Sequence, residues 1–123
     1  MSSWAHNARV SVHLTSHKNA AAIKITGLNA QSWVQPFGTS DADYAAMTAY
    51  LLGGYLHSGA AFHENFLIFD INGIKEGRRD INGGVQLLDP VPLNRLIAEI
   101  DDPGNPIKTA AAVAVVRAHF GRP

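Results

Sequence analysis

The chain has 123 residues, 46% of them hydrophobic and 16% charged, with ten Lys plus Arg against ten Asp plus Glu and no cysteine. The length fits one globular domain, 1–123, with one core. Zero net charge excludes a global field that would draw in nucleic acid or anionic lipid. Absence of cysteine excludes disulfides, thiolate zinc sites and a thiol nucleophile.

The first residues, Met1-Ser2-Ser3-Trp4-Ala5-His6, carry no basic segment followed by an apolar run. No stretch has the length of a bilayer span, so a cytoplasmic protein without a membrane partner is expected.

In chain order, Val10-Ser11-Val12-His13-Leu14 and Ala22-Ile23-Lys24-Ile25 are short β-branched runs on either side of the polar Ser16-His17-Lys18-Asn19. Their alternation predicts an N-terminal β-hairpin with one buried face. Trp33, Phe37 and Pro36 fall in a loop, and Ser40 with Asp43 three residues on forms a capping-box pattern ahead of a helix over 41–57. Gly53-Gly54 permits a break in it.

Phe66 to Ile71 is the strongest strand signal, and Asn72-Gly73 after it is the preferred type I′ pair. Asp70-Ile71-Asn72-Gly73 returns as Asp80-Ile81-Asn82-Gly83, with Val85 to Leu88 beyond, so a three-stranded β-meander is predicted. Pro90 and Pro92 then favour a helix from near Val91, with Leu93, Leu96, Ile97 and Ile100 on one face. Asn105-Pro106 opens a last helix that closes near Phe120 before Gly121. The fold class is α+β: hairpin, helix, meander and two C-terminal helices packed on one sheet face.

Chemistry is sparse. His57, His63 and Glu64 bracket the link Ser58-Gly59-Ala60-Ala61-Phe62 and offer metal ligands or an acid and base, although the spacing is not that of His-Glu-x-x-His. His13-Leu14-Thr15 resembles half of the repeated His-x-Thr element of the two-histidine phosphoesterases. Those enzymes need two copies and no second occurs, so a solvent-facing strand histidine is expected. Lys75, Arg78 and Arg79 could bind an anion or nucleic acid, but Asp70, Glu76 and Asp80 are interleaved with them. Asp-x-Asn begins a calcium loop, but Ile74-Lys75 and Gly84-Val85 stand where the next ligand and glycine belong.

The last helix is rich in small residues. Ala110, Ala114 and Ala118 on it are interface candidates, together with some of Trp4, Trp33, Phe37, Tyr44, Tyr50 and Tyr55. The expectation is a non-enzymatic binding or assembly protein acting as a homo-oligomer, most simply a dimer. The alternatives are a histidine-dependent, metal-using enzyme at His57, His63 and Glu64, or an anion or nucleic-acid module at Lys75, Arg78 and Arg79. No cofactor is indicated.

Overall fold

A computed structural model describes residues 8–121, so Trp4 and the N-terminal motif lie outside the described residues. The fold is α+β: three helices and a six-stranded antiparallel sheet of order β4-β5-β2-β1-β3-β6. The strands are β1 Val10–Thr15, β2 Trp33–Phe37, β3 Asn65–Asp70, β4 Glu76–Arg79, β5 Val85–Leu87 and β6 Leu96–Ile100. The helices are α1 His17–Thr26, α2 Asp41–Leu52 and α3 Pro106–His119.

The predicted N-terminal hairpin is not formed, because Ala22–Ile25 belongs to α1. The Ser16 side chain accepts from the Asn19 N–H and caps this helix, and alanines at 20–22 favour it. The alternation that suggested a strand leaves Ile25 78% exposed while Ile23 packs against the sheet. α1 ends at Gly27, whose φ of +82° and close approach to the Val91 carbonyl leave no room for a Cβ.

α2 begins where expected: Ser40 Oγ accepts from the Asp43 N–H at 3.1 Å and Asp43 Oδ2 accepts from the Ser40 N–H at 3.1 Å. The same contacts, the Ser40 hydroxyl's donation first among them, hold the Asp43 carboxyl below its usual range. The helix stops before Gly53, and Gly54–His57 continues as a 3₁₀ turn.

β3 does not turn back into β4, so the predicted meander is corrected to a β4–β5 hairpin alone. Asn72 is not in the left-handed region that a type I′ turn demands, since Gln31 is the only non-glycine there among the described residues. Its N–H is held by Asp70 Oδ1 at 2.9 Å, and its own Oδ1 accepts from the Arg9 N–H at 2.8 Å. These bonds fasten the end of β3 to the start of β1. A strand buried on both faces, Asn65 to Phe69, takes apolar neighbours instead, β1 on one side and β6 on the other.

The predicted helix from Val91 to Ile100 is instead a 3₁₀ turn, Leu93–Arg95, running into β6. Ile68 pairs with Ala98 and Phe69 with Leu96, so Ile97 is an extra residue in a bulge. α3 forms as expected, with Asn105 Oδ1 accepting from the Ile107 and Lys108 N–H groups and Pro106 in its first turn.

The helices therefore do not pack on a single face. α2 and α3 cover Val10, Val12, Phe66, Ile68 and Ile100. On the other side α1 lies over the sheet, where Ala20 joins Leu67, Phe69, Val85 and Leu87. A polar bridge fastens α1: His17 Nδ1 bonds buried Asn65 Oδ1, Asn65 Nδ2 donates to Glu99 Oε2 at 2.6 Å, and Lys24 Nζ lies 3.0 Å from the same carboxylate.

Candidate functional site

β1 and β2 pair over three residues only, Val10 with Phe37, Ser11 with Pro36 and Val12 with Gln35. Beyond Val12 they diverge: His13 to Thr15 continue on β3, while Trp33 and Val34 pair across to β5. A cleft of about 460 Å³ opens there.

His13 lines it. The Trp33 carbonyl, without a β1 partner, accepts a hydrogen bond from His13 Nδ1 at 2.8 Å. A carbonyl only accepts, so Nδ1 carries the proton and Nε2 keeps a lone pair. Burial lowers the His13 pKa from its ordinary value, with the Trp33 bond opposing. Burial thus favours the neutral ring.

Tyr50 of α2 forms another wall, its ring set edge-on to Phe37 with centroids 5.7 Å apart. Burial raises its phenol above the ordinary value; a hydrogen bond with the Ser58 side chain opposes this, and the Asp80 charge adds to it. Ser58, Gly59, Ala60, Ala61 and Phe62 complete that side, Gly59 taking a φ of +78°. Asn82 Nδ2 donates to the Ser58 carbonyl at 3.4 Å, tying this link to the β4–β5 turn. There Asp80 Oδ1 accepts from the Asn82 and Gly84 N–H groups, both at 2.9 Å. The repeated Asp-Ile-Asn-Gly thus makes the same aspartate Oδ1 to asparagine N–H bond twice, once at the cleft and once at the end of β3, although the backbone closes differently in the two turns.

The link that the sequence singled out therefore lines the cleft, but the residues bracketing it do not. His57 ends the 3₁₀ turn in solvent, the exposed His63 ring stands edge-on to Tyr55 at 5.5 Å, and Glu64 Oε1 accepts from the His17 N–H at 2.8 Å. Among the described residues no three His, Asp or Glu side chains are placed to hold a metal.

Lys75 and Arg78 are exposed, and Arg79 lies 3.6 Å from Glu76, a carboxylate that Arg9 also grips at 2.8 Å. Ala110, Ala114 and Ala118 lie on the exposed side of α3, while Thr109, Ala112 and Val116 face inward. Tyr44 and Tyr55 are buried, Tyr44 beneath the Arg117 guanidinium at 4.5 Å. A second groove, about 480 Å³, runs between β6 and α3 past Ala98, Ala111 and Val115.

Sequence reasoning missed His13, expected to face solvent. Nothing local marks it, because its setting depends on where β2 leaves β1. No family model, curated protein or solved structure matches this chain.

Proposed function

We propose that the chain is a binding protein for a small organic molecule, held in the cleft between β1 and β2. One observation carries this: His13, its Nδ1 held by the Trp33 carbonyl, lines a cavity in which apolar and aromatic side chains surround a few polar ones, Gln35, Ser58 and Asp80. A few placed polar groups in an apolar hollow of roughly 300–1,000 Å³ is the usual make-up of a ligand pocket. Trp33, 40% exposed, and Phe62, 50% exposed, stand at the rim as large apolar surface left in water.

The test is a fragment set screened by two-dimensional NMR. Binding should shift signals of His13, Trp33, Tyr50 and Gly59 together, and His13→Phe, which removes the acceptor, should abolish it. Shifts confined to other surfaces, or none across the set, would remove the reading.

A second reading, that copies of this chain pair, is favoured by the other groove. β6 is an edge strand, and Ile107 and Val115 on the adjoining α3 are 82% and 49% exposed. Open strand edges beside apolar surface invite pairing with another chain. Light scattering at micromolar concentration tests it.

A further inference from the structure

The charge pattern of the cleft narrows what it would take, an argument that rests on reading the cleft as a ligand site. Its lining contains one carboxylate, Asp80, and among the described residues no lysine or arginine. Asp80 spends Oδ1 on the turn, while Oδ2 has no hydrogen-bond partner among the described residues. Arg78 and Arg79 precede it in the chain but do not line the cleft, and Arg79 is drawn to Glu76 at 3.6 Å.

His13 presents a lone pair, not a charge. Trp33, Tyr50 and Phe62 add three aromatic rings, whose faces are electron-rich and attract cations. An anion entering would meet a carboxylate, a lone pair and aromatic rings, with only the neutral donors of Gln35 and Ser58, and no cationic side chain, to receive it. A cation rich in N–H donors would meet an acceptor at each of them.

We propose that the cleft selects a flat organic monocation bearing N–H donors, of the amidinium or aminopyridinium kind. Its ring lies against Trp33 and Phe62, and its donors are shared between His13 Nε2 and the Asp80 carboxylate.

Three probes of one shape separate charge from fit: benzamidinium, benzamide and benzoate, titrated into the intact protein and followed by NMR. Benzamidinium should bind about tenfold more tightly than benzamide, the scale of one partly exposed charge pair, and benzoate should leave the cleft signals unmoved. Asp80→Asn keeps an Oδ1 to accept from Asn82 and Gly84, so the turn persists while the charge is lost. That variant should bring benzamidinium down to the benzamide affinity and leave benzamide where it was.

Equal affinities for benzamidinium and benzamide in the unaltered protein, a preference that survives Asp80→Asn, or tightest binding by benzoate would each overturn the charge selection. The cleft would still stand as a ligand site in those cases. Silence from all three probes also overturns it, and the site itself then falls only if the wider fragment set bypasses the cleft as well.

Discussion

Ser11 sits fully buried at the centre of the sheet with its hydroxyl unpartnered among the described residues. A buried polar group without a partner costs desolvation and returns nothing, so Ser11→Ala should leave stability unchanged or raise it by about 1 kcal/mol. Urea unfolding measures this, and a clear loss would mean that the hydroxyl is satisfied. His13 gives a prediction in pH. Its folded-state pKa is lowered, so above the ordinary histidine range both folded and unfolded states are neutral there and the residue contributes no pH dependence. As pH falls through that range toward the lowered value, the unfolded chain takes up the proton first, and stability is lost. Unfolding curves from neutral to mildly acidic pH should therefore fall more steeply for the native protein than for His13→Gln. Parallel curves would contradict a depressed pKa. Neither residue announced itself in the sequence. Ser11 and His13 read as the wet side of a one-faced hairpin, and only segments distant in the chain dry it.

At the scale of elements, the ends of helices were the most legible features, because a cap is a local contract between residues two or three apart. Ser40 with Asp43 and Asn105 with Pro106 place the starts of α2 and α3 to the residue. Ser40→Ala removes the acceptor for the Asp43 N–H and the donor to its carboxylate, and should cost about 1 kcal/mol. Ser40→Asp, which can still cap, should recover most of it; both are measured by urea midpoints. Short apolar runs were misread in both directions. Ala22–Ile25 alternates like a strand yet follows a capping serine, and Leu93 to Ile100 has helical spacing because one bulged residue, Ile97, breaks the two-residue rhythm of β6. Runs this short do not tell the two periods apart, and pairing decides.

For the whole molecule, composition pointed to one mixed domain, while the order of strands was hidden, since it depends on contacts between distant segments. The cleft was legible in one part only, the link from Ser58 to Phe62; its other walls come from β1, β2, α2 and the β4–β5 turn. Pairing of copies along β6 and α3 should appear as a mass of two chains by light scattering at micromolar concentration. A charge at Ile107 or Val115, as in Val115→Glu, should return it to one. A mass of one chain for the native protein, unchanged on concentration, would assign that groove to solvent.

The position of β1 also bears on how the chain is made. It is synthesised before every other described strand, yet it lies inside the sheet, with β2 on one edge and β3 on the other. Thr15 meets its partner Asn65 only after fifty more residues have been added. At about 5–20 residues per second, roughly three to ten seconds pass with that edge of β1 unpaired. Through this interval the emerging segment Val10-Ser11-Val12-His13-Leu14 is a template that a neighbouring nascent chain could occupy. Slow translation between residues 16 and 65 would lengthen the exposure, so the yield of correctly folded protein should follow the tempo of the ribosome over the stretch that separates β1 from β3.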